Sequence, residues 1–189
     1  MKRRSLFSIL AVTTLLAYIV AEPAISAETA VTPEVSPPGD IPDNQVFITF
    51  VSPAGFTVRV PEGWARTDDA QETVFSDKYN RIALTNATIA QPLSIDYAKS
   101  VLAPEIEKSG RAVKIKETVE VKLRAGRAVK IAYDANSAPN EVTNKQIRQE
   151  NERYYFAKNG QLIILSLTAP KGADNVDQWK LISSSFRWK

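Results

Sequence analysis

The chain has 189 residues with no histidine and no cysteine, which excludes Ser-His-Asp and Cys-His catalysis, imidazole or thiolate metal sites, disulfides and a lipidated cysteine. Its formal charge is +3, yet residues 28–189 hold 21 basic and 20 acidic side chains, a net charge of +1. So nearly neutral a body gives no electrostatic case for nucleic-acid binding, and no glycine-rich phosphate loop is present.

Lys2, Arg3 and Arg4 precede an uncharged apolar run from Ser5 to Ala21, and small residues follow at Ala24, Ser26 and Ala27. This pattern predicts an export signal over residues 1–27, cut after Ser26 or Ala27. The run is close to the lower limit of about 17–25 residues for a membrane span, so an uncleaved anchor is the alternative. The expected location is extracytoplasmic, periplasmic or secreted, with membrane contact only if the signal is retained. Residues 28–45 carry Pro33, Pro37, Pro38 and Pro42 among acidic residues and predict a disordered linker. Residues 46–189 are then one domain.

In that domain, alternation over Val46–Val51 and Phe56–Val60 around Ser52–Gly55 predicts a β-hairpin. Short strands are expected at Val74–Phe75 and Arg81–Thr88. Ser94 is a candidate N-cap for a helix running to Gly110, with Pro104 expected to kink or shorten it. From residue 113, Val113, Ile115, Val119, Val121 and Leu123 alternate with charged residues and predict a strand with one buried face. Ala125-Gly126 turns the chain into a partner strand, 127–133, whose inward set is Val129, Ile131 and Tyr133. A loop is expected over 134–145, then a hairpin of 146–156 and 161–169, the apolar Leu162–Leu167 being central. Asp174 with Asp177 resembles a capping pair opening a last short helix. The sum is an α+β fold, an antiparallel β-sheet of about seven strands flanked by helices.

No catalytic residue, cofactor site or metal site is expected. The carboxylate pairs Asp68 with Asp69 and Glu150 with Glu152 read as solvated surface, and the Asp174, Asn175, Asp177 group reads as capping rather than cation binding. The densest charge cluster, Arg111 with Lys114, Lys116, Lys122, Arg124, Arg127 and Lys130, would form a basic stripe on one sheet face if its two strands are in register; the last six are a candidate docking surface for an acidic protein partner or anionic headgroups, the alternative being a solubilising face. Trp64, Trp179 and Trp188 are expected to fill the core.

The strand Phe56–Trp64, closing in Pro-x-Gly-Trp, and the ending from Ala169-Pro170 through Trp179 to Ser185-Phe186 resemble the PsbP/Mog1-like superfamily. Its bacterial members include exported proteins and lipoproteins of the LpqN and DcrB kind. The resemblance implies an α/β/α sandwich around an antiparallel sheet and no catalytic residues. It implies an accessory or binding role, and the photosynthetic branch adds the thylakoid lumen as a possible compartment. The expected function is a non-enzymatic domain docking a protein partner or envelope component. The alternative is a small-molecule or lipid carrier with an apolar pocket lined by Tyr97, Tyr154, Tyr155 and Trp179.

Overall fold

The computed structural model describes residues 28–189; the expected export signal, 1–27, lies outside them. The first hairpin forms as expected, from β1 (Phe47–Ser52) and β2 (Phe56–Pro61) around Gly55. β3 (Ala65–Asp68), β4 (Glu72–Ser76) and β5 (Arg81–Thr88) follow. β3 escapes a reading by periodicity because all four of its residues are exposed and none alternates with an apolar one.

Ser94 caps the helix, its Oγ accepting the Tyr97 N–H at 3.1 Å. Pro104 does not end it. The helix runs as α1 (Ile95–Tyr97), a π-helical turn at Ala98–Leu102 and α2 (Ala103–Ser109). Proline lacks an N–H and crowds the carbonyl four residues back. The wider turn, in which Ala103 donates to the Ala98 carbonyl, accommodates both defects.

β6 (Arg111–Leu123), β7 (Gly126–Asn136), β8 (Arg148–Lys158) and β9 (Gln161–Pro170) are successive antiparallel strands. β7 continues three residues into the expected loop because Asp134 and Asn136 are themselves buried and bonded. α3 (Val176–Ser185) and the short β10 (Arg187–Trp188) close the fold. Asn175 is the N-cap of α3 but makes no side-chain cap bond, so the expected Asp174/Asp177 capping pair does not form.

The main sheet has seven strands in the order β3-β4-β5-β9-β8-β7-β6, with β9 central as its apolar run predicts. The first hairpin does not join it; with β10 it makes a separate three-stranded sheet. One face of the main sheet packs on this small sheet and α3 through Phe56, Phe156, Leu165, Ile182 and Phe186, with Trp179 buried and Trp64 and Trp188 packed against the cluster. The other face packs on α1–α2 through Ala98, Leu102, Ile106, Ile131 and Tyr155. Three layers and two cores result, each large apolar side chain contributing about 1.5–3 kcal/mol.

Residues 28–45 contain no helix or strand, but they are not the disordered linker expected. They form a strap tied to the domain. Ile41 is 3% exposed in the first core, and its N–H donates to Asn175 Oδ1 at 2.7 Å. The Gly39 carbonyl accepts from Asn80 and Asn175, both at 3.0 Å. Gly39 has φ of 121°, and a Cβ there would come within 3.0 Å of Pro170, so only glycine lets the strap approach this closely. Glu28 reaches Arg111, Asn136 and Gln146. One apolar residue seated over buried amides overrides a proline-rich, acidic composition.

Candidate functional site

The six basic residues proposed for docking lie on β6, β7 and the turn between them, but not as one stripe. Register shifts at Arg111/Lys114 and Ile115/Glu117 mark bulges in β6. A bulge adds a residue, and one residue exchanges the faces of everything beyond it. Val113 and Ile115 accordingly pack with α1–α2, whereas Val121 and Leu123 pack on the opposite core. The single buried face expected for this strand is corrected to two half-faces.

The charges divide the same way. Lys114 lies opposite Asp134, and Lys116 Nζ is 3.5 Å from the Asp134 carboxylate. Lys130 is held between Glu117 at 2.7 Å and Glu152 at 3.4 Å, its side chain only 20% exposed. Burial opposes its charge, but the two carboxylates outweigh that and hold the ammonium above its usual range. Lys116 and Lys130 are structural counter-ions, while Lys114 lies across from Asp134 with no ion pair among the described residues. Lys122 and Arg127, by contrast, sit directly opposite each other on the other face at the hairpin end. Arg124, in the turn, lines a groove of about 380 Å³ with Arg59 and Arg187, a grouping invisible to sequence because it joins three distant segments. Among the described residues, the one carboxylate pairing with any of these five is Glu120, 3.6 Å from Arg127.

On the α3 side, Glu150 and Glu152 share a face of β8, as a strand requires, and Asp134 of β7 lies opposite Glu150. Val176 and Trp179 roof a hollow of about 240 Å³ over the three carboxylates. This is not the open surface expected of the pair. Asp134 is 5% exposed and bonded to Lys171 at 2.5 Å. Glu152 accepts the Tyr154 hydroxyl at 2.6 Å, and burial pushes that phenol up. Glu150 forms no ion pair among the described residues. Desolvation raises its pKa, with the charges of Asp134 and Glu152 adding to the effect.

Acid–base chemistry needs a carboxylate of raised pKa beside one that stays ionised. Glu150 has the raised pKa, but its neighbours Asp134 and Glu152 are already committed to lysines and to Tyr154. A raised folded-state pKa means that Glu150 favours folding below its ordinary value of 4.5, a contribution lost as pH rises through the folded value. Glu150→Gln is therefore expected to raise Tm at pH 7 and to converge with the parent below about pH 4, measured by thermal melts across pH.

Asp68 and Asp69 stay outside this hollow. Hydrogen bonds, from Arg66 and Thr73 to Asp68 and from backbone amides to Asp69, hold both carboxyls below the usual range. The Asn175 side chain is turned to the strap rather than to Asp174 and Asp177. The four aromatic residues of the expected carrier pocket lie on opposite faces of the sheet, Tyr154 and Trp179 in one core and Tyr97 and Tyr155 at the other. They line no common cavity.

With this geometry in view, the cyanobacterial PsbP of Synechocystis is similar over 80% of this chain and 98% of its own, at 14% identity and a TM-score of 0.55. The fold is PsbP-like. A Pseudomonas aeruginosa protein of unknown function is similar over 74% of this chain and 94% of its own, at 11% identity and a TM-score of 0.50. No family model matches the sequence, and no curated protein matches it. At such identities the PsbP-like likeness establishes architecture: the antiparallel sheet that the Pro-x-Gly-Trp strand and the Ser-Phe ending implied, with a second three-stranded sheet beside α3 where that resemblance implied helices alone.

Proposed function

We propose that this is an exported, non-catalytic binding domain that docks an acidic protein partner through the end of the β6–β7 hairpin. The observation that supports this reading is the Lys122–Arg127 pair. Like charges directly opposite on an antiparallel pair are destabilising, by a few tenths of a kcal/mol up to about 1 kcal/mol. Carboxylates of a partner would offset that cost, and Arg124 extends the positive surface toward Arg59 and Arg187. Export rests on Lys2–Arg4 and the uncharged run after them; among the described residues no helix is long and apolar enough to cross a membrane.

The test is a pull-down from envelope extracts with the full chain and with the triple variant Lys122→Glu, Arg124→Glu, Arg127→Glu. The parent is expected to retain a partner at low salt and to lose it as salt rises, and the variant to lose it throughout. Undiminished recovery by the variant would refute the proposal. Lys130 is no part of this surface: reversing its charge would set three carboxylates together and lower Tm. Amino-terminal sequencing of mature protein tests export, with Ala27 or Glu28 the expected first residue.

A further inference from the structure

Strand register brings an unusual polar group onto the sheet face that carries α1–α2. Arg81 of β5, Thr168 of β9, Asn151 of β8 and Tyr133 of β7 are directly paired in one cross-strand row. The neighbouring row pairs Ser166 with Arg153. Beside them on this face, Ile131, Tyr155 and Leu162 belong to the helix-covered core. The two polar rows instead border a groove of about 440 Å³, closed at its far side by the Asp77–Asn80 turn.

Two donors in this group have no acceptor. Asn151 is 7% exposed; its Oδ1 takes the Thr168 hydroxyl at 2.7 Å, but its Nδ2 is buried and unpartnered. Arg153 Nε is likewise buried without a partner. Among the described residues Arg153 also has no ion pair, although its guanidinium lies 5.7 Å from the centre of the Tyr133 ring on a mostly covered face. Tyr133 and Tyr155 flank it and their hydroxyls interact with the guanidinium, but burial pushes both phenols up, so these are contacts to neutral groups that supply no counter-charge. Arg81 is neutralised by Glu72 at 2.7 Å, and the Asp77 carboxylate is occupied by the N–H groups of its own turn.

A buried donor without an acceptor costs about 1–3 kcal/mol, and more when it belongs to a charged group. A cation with no ion pair, beside a second unsatisfied donor, favours negative charge in the groove. We propose that this groove is a binding site for a small oxyanion, a carboxylate or phosphate group that neutralises Arg153, with Asn151, Ser166, Thr168 and Tyr133 at its border. It is independent of the hairpin-end surface, since none of Lys122, Arg124 and Arg127 lines this groove.

The experiment titrates the full chain with inorganic phosphate and, separately, with succinate, against chloride at matched ionic strength, by calorimetry and thermal melting. At least one oxyanion is expected to bind saturably and raise Tm where chloride does not; which one does so separates a phosphate from a carboxylate ligand. Arg153→Met is expected to weaken that binding about tenfold or more. Ser166→Asp places a carboxylate opposite Arg153; it is expected to raise Tm in chloride and abolish oxyanion binding. That variant keeps the proposal falsifiable if Arg153→Met fails to fold. The proposal is overturned if neither anion does more than chloride, or if Ser166→Asp binds as the parent does.

Discussion

Phe186→Ala is expected to cost about 3–5 kcal/mol and to lower Tm by roughly 10 °C or more, as read by thermal melting. Phe186 is fully buried where three segments meet. Its ring stacks on Phe156 of the main sheet, centroids 3.9 Å apart, and on Phe56 of the small sheet at 5.2 Å, while Trp188 meets it edge-on at 5.3 Å. Truncation would leave a cavity between two sheets that no backbone hydrogen bond joins across, and so would loosen the layers together. Phe186→Leu retains most of the volume and should cost well under half as much. Equal losses for the two variants would show that aromatic stacking, not volume, dominates there.

Asn175→Ala should act on the strap. The Asn175 side chain is 1% exposed and makes three bonds: from the Ile41 N–H at 2.7 Å, to the Gly39 carbonyl at 3.0 Å and to Asn80 Oδ1 at 3.2 Å. Alanine leaves buried groups without partners, at about 1–3 kcal/mol each. Water reaching the loosened strap recovers part of that, so a net loss of about 2–4 kcal/mol is expected. The distinguishing readout is limited proteolysis: residues 28–45 should be cut first in the variant and resist cleavage in the parent. Cleavage of this segment at the same rate in both proteins would mean that Asn175 does not hold it.

The strap shows where composition misleads. Prolines and acids made 28–45 look unable to bury anything, and on average they do not; Ile41, alone among them, is what enters the core. An isolated isoleucine beside Pro42 is the one signal that sequence offers. The amides that hold the strap there, Asn175 at Ile41 and Asn80 at Gly39, lie 134 and 41 residues further along the chain. Glu150 and Glu152 give the reverse lesson: that they share a strand face was readable from spacing, but their depth depended on Trp179 and Val176 arriving from α3.

Features that are local and chemical are legible in the chain alone. Period-two alternation placed the strands, the apolar Leu162–Leu167 run placed β9 at the centre, Ser94 capped its helix, and the missing histidines and cysteines removed whole classes of catalysis. Tertiary structure alone decided which side chains meet. The β6 bulge at Lys116 set Lys114 and Lys122 on opposite faces, so Lys116 and Lys130 pair with carboxylates while Lys122 meets Arg127 at the hairpin end. Cross-strand register set Arg153 and Asn151 beside Ser166 and Thr168 with Arg153 Nε and Asn151 Nδ2 left unpartnered among the described residues. The reason is physical: alternation is a property of a few adjacent residues, whereas face and register depend on hydrogen bonds between strands far apart in the chain, and a single inserted residue reverses them.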